Sequence, residues 1–490
     1  MRPALAGLIV FGASAAVLVL EILAVRLLAP HLGITLEVTT GIIGTILAGI
    51  AVGTWLGGRL ADEVDPRWLL GPILILGGVL ALTVIPIVSL AANAGVGHGP
   101  QGILIYATTA FFLPAAVLSA ASPTVVKMQL HTLGQTGSIV GRYSAIGTAG
   151  AILGTFATGF LLVAALPTRP IVIGLGVVLI ASGLVIALRV GRARPSGVLG
   201  LGLTIGMGAI VWALVAPGPC QRESAYFCIS VETVSADGSE RLLRMDTLRH
   251  AYVDLDDPTQ LEFMYTRLLG DVADAFAPTT TPLEVLHIGG GGFTLPRYIA
   301  ATRPGSTNRV LELDPVVLDV AREELGLTTS EALSVEIGDA RLAIRQEPAD
   351  VFDLVIGDAF GGPAVPWHLT TTEFLSDVSR ILRPGGIYAA NIIDHPPLAL
   401  ARAELATLGE VFEHVGVYGP ASRLELRSGG NIILLASDEP IATDAIVAAN
   451  DVHGGSAYLS VDEVEMADFV SGAPVLTDDF APTDQLLTRP

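Results

Sequence analysis

The sequence predicts a protein in two parts: an N-terminal all-α bundle of about seven transmembrane helices and a C-terminal α/β domain of Rossmann-like type. Half of the 490 residues are hydrophobic (51%), and the mean hydropathy of +0.63 is too high for an ordinary soluble enzyme. Charge is divided unevenly, since residues 1–216 carry 10 Lys/Arg and 5 Asp/Glu, whereas residues 217–490 carry 17 and 42. Strands and helices alternate in the pattern from Leu283 onward. We therefore predict a helical domain over 1–216, a small antiparallel β-unit over 217–260 and a Rossmann-like domain over 261–490.

Seven apolar stretches make up the first part, each about long enough to cross ~30 Å of hydrocarbon. They are residues 4–28, 38–61, 68–92, 102–126, 143–166, 170–190 and 197–216. Small residues recur at every fourth position in the second stretch (Gly49, Gly53, Gly57) and in the fifth (Gly150, Gly154). This spacing predicts helices whose backbones pack closely in lipid.

The basic residues of the first part predict its orientation. With the N-terminus in the cytoplasm, Arg26 and Arg169 lie outside and the other basic residues lie inside. Those inside are Arg2, Arg59, Arg67, Lys127, Arg142, Arg189, Arg192 and Arg194. Seven crossings then place residues 217–490 on the outer face of a cell membrane. Cys220 and Cys228 follow the last apolar stretch, and they are either one short-loop disulfide, as an oxidising compartment would allow, or two unrelated thiols.

The second part begins with two short predicted elements. Residues 220–255 alternate between apolar and polar side chains, which predicts the antiparallel β-unit. Glu262 to Phe276 has the periodicity of an amphipathic helix.

Acidic residues then follow the predicted strands of the Rossmann-like domain. The strand Val285–Ile288 leads directly into four glycines, Gly289 to Gly292, where backbone N–H groups can approach a ligand because no Cβ intervenes. Carboxylates stand at the ends of the next three predicted strands: Glu312 and Asp314, then Asp339, then Asp358. Because ligands bind outside the carboxyl ends of the strands in such sheets, these residues are expected to line one crevice, with the carboxylate of the second strand on ribose hydroxyls.

The remaining elements complete a mostly parallel sheet. Helices are predicted over Val316–Leu325 and Thr370–Leu382, and strands over Tyr388–Ile393 and Gly430–Ala436, the latter being the last strand. The acidic surplus argues against nucleic acid as a partner. It is compatible with a cationic substrate, although solubility explains it equally well.

The set of motifs resembles the nucleoside-binding half of S-adenosylmethionine-type transferases, the methyltransferase-type fold. The set consists of the glycine loop, ELD at 312–314, GDA at 338–340, GDAF at 357–360 and LRPGG at 382–386. Within that class the second part resembles the spermidine synthase (polyamine aminopropyltransferase) family over roughly Ser224 to Pro482. It is most similar to the membrane-fused branch, which the EILAVRLLAP and GGRLAD segments of the first part also resemble.

The resemblance implies a set of site residues. The cosubstrate, decarboxylated S-adenosylmethionine, would be bound by Gly289, Gly290, Gly291, Glu312, Asp314, Asp339 and Ala340. Asp358 corresponds to the catalytic aspartate, which accepts a proton from an attacking amine. Tyr265, Asp478 and Asp479 are the candidates for contact with the amine substrate. The resemblance implies no metal. It does imply a homodimer, because members of this family often form dimers.

Several residues depart from the family pattern on the amine side. The family has an aspartate at the position of Gly292, and Tyr-His-Glu where this chain has Tyr265-Thr266-Arg267. The second aspartate of its DxxDP run is absent after Asp358, and a glutamine near the nucleoside corresponds to Phe227. Two other functions therefore remain open: an S-adenosylmethionine-dependent methyltransferase on the same fold, and a non-catalytic protein that binds or transports polyamines or nucleosides.

Overall fold

The computed structural model divides the chain into two compact units, Met1–Cys228 and Ile229–Pro490. The structure describes residues 1–97, 99–130, 132–190, 195–362, 364–460 and 462–488. Each unit is considered by itself.

The first unit is helical. Six of its described helices are long and apolar enough, by length and composition, to cross a membrane: Pro3–Leu32, Leu36–Glu63, Pro66–Asn93, Pro100–Gln129, Thr136–Ala165 and Thr168–Arg189. The fourth contains a π-helical turn at Thr108–Phe112 and the fifth one at Ala157–Leu162. The predicted seventh stretch forms the helix Pro195–Val215, whose part from Thr204 onward is a shorter apolar helix. Arg192 and Arg194, which enter the predicted orientation, lie outside the described residues.

Glycines bring the backbones of this unit into contact. A Cβ at Gly53 would lie 1.9 Å from the carbonyl oxygen of Ala116. A Cβ at Gly150 would lie 2.2 Å from that of Phe11. The close approach that the four-residue spacing predicts is therefore present, and a larger residue at either position would force the helices apart.

Two arginines and a disulfide organise the end of the first unit. Arg26 forms an ion pair with Glu223 (Nη2–Oε1, 2.9 Å) and donates to the carbonyl oxygen of Ala225 (2.7 Å). Arg169 donates to the carbonyl oxygens of Leu214 (2.8 Å) and Ala216 (2.7 Å) at the end of the last helix. Of the two states left open for the cysteines, the structure has the disulfide between Cys220 and Cys228.

A small antiparallel β-unit precedes the main sheet. After the two-residue strand β1 (Arg222–Glu223) come β2 (Cys228–Thr233), β3 (Glu240–Met245) and β4 (Leu248–Asp254). β3 pairs with both β2 and β4 in antiparallel register.

The main sheet has eight strands in the order β12-β10-β11-β9-β8-β5-β6-β7. Their bounds are β5 Glu284–Ile288, β6 Thr307–Glu312, β7 Leu333–Ile337, β8 Phe352–Gly357, β9 Leu382–Asp394, β10 His414–Pro420, β11 Gly430–Ser437 and β12 Ala457–Ser460. The five strands from β9 to β7 are parallel, as the strand–helix alternation predicts. The other three continue the sheet in antiparallel order.

The prediction that the last strand is Gly430–Ala436 is wrong, because β12 follows it at the edge of the sheet. The strand β10 was also not predicted. A four-residue edge strand such as β12 contains too few positions for an apolar alternation to stand out.

Helices cover both faces of this sheet. They are Met264–Phe276, Thr294–Thr302, Pro315–Glu324, Ala340–Ile344, Thr372–Ile381, Ala399–Gly409, Ala421–Leu424, Thr443–Val452, Glu463–Phe469 and Thr483–Leu486, with a 3₁₀ turn at Trp367–Leu369. Alternate residues of β8 point into two separate cores, Val355 into one and Leu354 and Ile356 into the other. Since both faces are packed, a ligand is expected at the carboxyl ends of the strands.

Candidate functional site

The glycine loop is held between the ends of three neighbouring strands. Gly289 has φ +96°, and a Cβ there would lie 2.3 Å from the carbonyl oxygen of Asp358. Its N–H donates to the carbonyl oxygen of Leu311 at the end of β6 (2.9 Å). The N–H of Asp358 in turn donates to the carbonyl oxygen of Ile288 (2.9 Å). Both the left-handed conformation and the close approach of β8 require glycine at position 289.

Glu312 supports this loop from the end of β6. One of its carboxylate oxygens accepts hydrogen bonds from the N–H groups of Gly290 (2.9 Å) and Gly291 (3.3 Å). The other accepts from the N–H of Asp314 (2.9 Å). Burial raises the pKa of Glu312, and these N–H groups oppose that rise because they stabilise the ionised form. The carboxylate therefore fixes the shape of the glycine loop.

Asp314 and Asp339 both cap helices. Asp314 is 1% exposed and accepts from the N–H of Val316 (2.9 Å), while its Oδ2 has no hydrogen-bond partner in the described part of the chain. Asp339 accepts from the N–H of Arg341 (2.8 Å), at the start of the short helix that Ala340 begins. Each of these carboxylates therefore lies between the end of a strand and the first residue of the helix that follows, where an N-cap is needed.

Asp358 lies at the end of β8, among polar partners from other elements. The amide of Asn391, at the end of β9, donates to its Oδ1 (2.8 Å). The hydroxyl of Tyr265, close to Asp358, donates to the carbonyl oxygen of His250 (2.9 Å). Burial raises the pKa of Asp358 to about 6, and the hydrogen bond from Asn391 and the nearby hydroxyl of Tyr265 oppose that rise. Asp358 is therefore a carboxyl group that takes up and releases a proton close to neutral pH.

The strand β4 covers the glycine loop from the side of the β-unit. A Cβ at Gly292 would lie 2.4 Å from that of Ala251, so the family's aspartate could not occupy this position without a shift of β4. The hydroxyl of Thr294 donates to the carbonyl oxygen of Tyr252 (3.1 Å). Burial lowers the pKa of His250, also on β4, to about 4, which keeps its imidazole neutral at physiological pH.

Asn391 and His250 are two further candidate site residues, and the sequence patterns did not predict them. Asn391 is a polar residue inside the apolar run YAANII, and it follows Ala390, which is paired with Gly357 in the parallel register of β8 and β9. The polar interruption and the strand order together would have located it. The signal for His250 is weaker, because the β-unit alternates polar and apolar residues throughout.

The three candidates for amine contact lie in different surroundings. Tyr265 is next to Asp358, as described. Asp478 pairs with Arg341 (Nη2–Oδ2, 2.6 Å) and accepts from the hydroxyl of Thr371 (2.8 Å), and Asp479 is exposed. The structure thus brings Tyr265 close to Asp358, whereas Asp478 is held by Arg341 and Thr371. Within the part of the chain that the structure describes, no group of three or more His, Cys, Asp or Glu side chains could hold a metal ion.

Comparison with known proteins gives consistent results for the second unit. Residues 262–418 match the family model described as the spermine/spermidine synthase domain. The chain is similar to the polyamine aminopropyltransferase of Vibrio vulnificus (strain CMCP6), with 30% identity over 216 residues, 42% of this chain and 70% of the relative. It is also similar to the eEF1A lysine and N-terminal methyltransferase of Danio rerio, with 30% identity over 171 residues, 32% of this chain and 25% of the relative. Among solved structures, a probable spermidine synthase from Corynebacterium glutamicum ATCC 13032 is 33% identical and covers 54% of this chain and 96% of its own, with a TM-score of 0.48.

Proposed function

The chain belongs to the polyamine aminopropyltransferase (spermidine synthase) family and is a transferase, and on that basis we propose that it moves an aminopropyl group from decarboxylated S-adenosylmethionine to an amine acceptor. The observation that carries this proposal is the position of Asp358. Its side chain is partly buried, it has a pKa near neutrality, and its backbone contacts the glycine loop. A general base needs such a pKa, because it must be ionised before the reaction and able to keep the proton afterwards.

The nucleoside half of the cosubstrate would lie along the strand ends. Gly289, Gly290 and Gly291 let it approach the backbone, and Glu312 and Asp314 stand where ribose hydroxyls bind in sheets of this type. Asp339 and Ala340, one strand further on, would contact the adenine. The N–H of Gly338 donates to the carbonyl oxygen of Glu312 (2.9 Å), which keeps these two strand ends next to each other.

The reaction requires one base and no covalent intermediate. The nitrogen lone pair of the neutral amine attacks the methylene carbon next to the sulfonium, a C–N bond forms, and the C–S bond breaks with its electrons going to sulfur. The sulfonium becomes the neutral thioether of methylthioadenosine. Asp358 accepts the proton that the nitrogen loses and stabilises the developing ammonium. The amide of Asn391 holds the carboxylate in place by its hydrogen bond.

Production of methylthioadenosine tests this function. The purified full-length chain in detergent would be given labelled decarboxylated S-adenosylmethionine and a panel of amines, with release of methylthioadenosine as the readout. We expect release with at least one amine, and its loss in Asp358→Asn. Asp319→Asn, which removes an exposed carboxylate from the helix Pro315–Glu324, is the matched control. Absence of product over the whole panel would contradict the proposal.

A methyltransferase is the second candidate. The observation that favours it is the similarity to the Danio rerio methyltransferase, together with the changed residues on the amine side, such as Gly292 and Thr266. Calorimetry separates the two functions. Tight binding of S-adenosylhomocysteine without binding of methylthioadenosine would favour methyl transfer, whereas the reverse would favour aminopropyl transfer.

We also propose that the protein is a multi-pass membrane protein with its second unit on the outer face. The six long apolar helices support a multi-pass membrane protein. The outer face additionally requires the helix Pro195–Val215 as a seventh crossing, and the excess of basic residues predicted inside and the disulfide between Cys220 and Cys228 support that side. A homodimer stays a prediction.

A further inference from the structure

The six long apolar helices of the first unit form two equivalent halves of three helices each. Phe112 follows Phe11 by 101 residues, and Gly150 follows Gly49 by the same 101. The carbonyl oxygen of Phe11 is the atom nearest to a Cβ built at Gly150, and the carbonyl oxygen of Phe112 is the atom nearest to one built at Gly49. The contact between the first and fifth helices is therefore repeated between the fourth and second helices.

The third and sixth helices pack against each other with the same relation. The side chain of Leu82 lies 2.5 Å from a Cβ built at Gly176, and that of Ile75 lies 2.7 Å from one built at Gly183. Gly183 follows Leu82 by 101 residues, and Gly176 follows Ile75 by 101. Each half has three helices, so in a membrane the second half begins on the side opposite to the first. The two halves are thus an inverted repeat, an architecture typical of secondary transporters, whose binding sites lie near the midplane where the repeats meet.

Two helices are irregular at the contacts between the halves. The fourth helix has its π-helical turn at Thr108–Phe112, where the second helix contacts it. The fifth helix has its own at Ala157–Leu162, where the first helix contacts it. Transporter sites are commonly built where helices are discontinuous, and π-helical turns are frequent at functional sites.

Glu21 of the first helix faces the π-helical turn of the fifth. In the register in which Phe11 meets Gly150, Glu21 is level with that turn. Glu21 lies two helical turns after Ser14 on the same side of the first helix. The Oγ of Ser14 is 3.1 Å from a Cβ built at Gly147, so this side faces the fifth helix. An acidic side chain is therefore present where the two halves meet.

The carboxylate of Glu21 is half-buried, and it has no hydrogen bond or ion pair with another residue in the described part of the chain. Arg26, the basic residue closest to it in sequence, binds Glu223 instead (2.9 Å). A carboxylate inside the hydrocarbon region is costly unless a cation neutralises it, and for this reason acidic residues in membrane helices mark the paths of ions and substrates. The missing partner of Glu21 is thus a cation.

We propose that the first unit transports an organic cation across the membrane and that Glu21 is the counter-ion of its ammonium group. The two halves move relative to each other, so that the site at Glu21 opens to one side of the membrane and then to the other. An anionic or neutral solute would leave the carboxylate unpaired, which restricts the transported solute to cations. This activity is additional to that of the second unit and does not depend on aminopropyl transfer.

Uptake into liposomes tests this activity. The full-length chain in phosphatidylcholine liposomes, with an inside-negative potential set by valinomycin and a potassium gradient, would be given labelled 1,4-diaminobutane, spermidine or choline. At about 100 mV a monovalent cation can accumulate roughly fiftyfold. We expect at least one of the three cations to accumulate at least about tenfold above protein-free liposomes. Glu21→Gln should reduce this accumulation to the protein-free level.

Glu37→Gln is the matched control, because it removes an exposed carboxylate from the first turn of the second helix and should leave uptake unchanged. A measurement on the wild-type chain covers the case in which Glu21→Gln does not fold. Dicyclohexylcarbodiimide modifies carboxyl groups in apolar surroundings, and the accumulated cation in excess should protect Glu21 from this label, as seen by mass spectrometry of the peptide. Absence of uptake of all three cations, unchanged uptake by Glu21→Gln, or labelling of Glu21 without protection would each overturn the inference.

Discussion

At the scale of single residues, the surroundings of Asp358 determine the chemistry of the site. Burial raises its pKa from an ordinary value of 3.8 to about 6, and the hydrogen bond from Asn391 and the nearby hydroxyl of Tyr265 limit the rise. At neutral pH the group is mostly ionised, so it can accept a proton. Its basicity is still greater than that of a solvated carboxylate, so the transferred proton is held more firmly.

Replacement of Asp358 should therefore change both the rate and its pH dependence. We expect Asp358→Asn to lower kcat/KM by roughly 10²- to 10⁴-fold. In the wild-type chain the rate should rise with pH through about 6 as the carboxylate ionises. Initial rates from pH 4.5 to 8 would measure this limb, and an Asp358→Asn variant that retains it would show that another group is the base.

Glu404 is a buried carboxyl group on the helix Ala399–Gly409, and it should make stability fall as pH rises. Its folded-state pKa, about 8, is above the ordinary value of 4.5. Below pH 4.5 the group is protonated in both states and has no effect on stability; stability is lost progressively between pH 4.5 and about 8, and the loss is constant above that. At pH 7 this loss is about 3 kcal/mol as an upper estimate.

Glu404→Gln, which cannot ionise, should consequently have a higher melting temperature than the wild-type chain at pH 7 to 8 and the same one near pH 4. Differential scanning fluorimetry over this pH range measures the difference. Glu410→Gln, which removes an exposed carboxylate just beyond the helix Ala399–Gly409, is the control for the loss of one carboxylate. An equal difference at both ends of the range would mean that ionisation of Glu404 is not its cause.

The sequence predicts well where the candidate carboxylates lie in the sheet, because each one directly follows a strand. Glu312, Asp314, Asp339 and Asp358 each follow a short apolar run, and the parallel order of β8, β5, β6 and β7 brings them to one edge. The partners of Asp358 are harder to predict. Asn391 reaches it from a neighbouring strand and Tyr265 from a helix outside the sheet, and both contacts depend on tertiary packing.

At the scale of elements, the glycine loop is the segment of the candidate site whose choice of residue is most restricted by backbone geometry. Gly289 and Gly291 both have a positive φ (+96° and +49°). A Cβ at Gly289 would also meet the backbone at the end of β8, whereas a Cβ at Gly291 would have nothing within 4 Å. The two glycines belong to the same loop, but the surrounding backbone restricts position 289 more than position 291. The loop is thus fixed at its beginning, next to the sheet, and open where a ligand approaches.

Gly289→Ala should destabilise the second unit and weaken nucleoside binding. The positive φ alone costs about 1–2 kcal/mol, and the Cβ would also meet the carbonyl oxygen of Asp358. Gly409→Ala, at the end of the helix Ala399–Gly409, adds a methyl group with nothing within 4 Å and should change neither property. Melting temperature and methylthioadenosine affinity are the measurements, and equal values for the two variants would contradict this account.

The elements of the sheet were only partly predictable for a physical reason. The buried parallel strands are apolar runs separated by helices, a pattern that local sequence carries. The antiparallel extension of β11, β10 and β12 is built from short strands whose pairing depends on distant partners, such as β11 with β9. The long apolar helices of the first unit are the opposite case, since the length and apolarity of the sequence segments alone predict them.

At the scale of the whole molecule, the predicted side of the second unit decides how a cosubstrate could reach it. A reporter fused after the last residue, active only in the cytoplasm or only outside it, would measure this side. We expect the outside signal, and we expect Cys220 and Cys228 to react with a maleimide only after reduction. A cytoplasmic signal with freely reactive thiols would reverse the orientation and place the unit in the compartment where nucleoside cosubstrates are made.

The two arginines that this orientation leaves on the outer side are both occupied. Arg26 binds Glu223 and the carbonyl oxygen of Ala225, which connects residues 223–225 to the first helix. Arg169 donates hydrogen bonds to carbonyl oxygens at the end of the last helix. Neither is a spare charge that could retain a loop in the cytoplasm during insertion. Neutral substitutes for Arg26 and Arg169 would therefore leave the direction of threading unchanged. The segment around residues 223–225 and the end of the last helix would instead lose these contacts with the helical bundle.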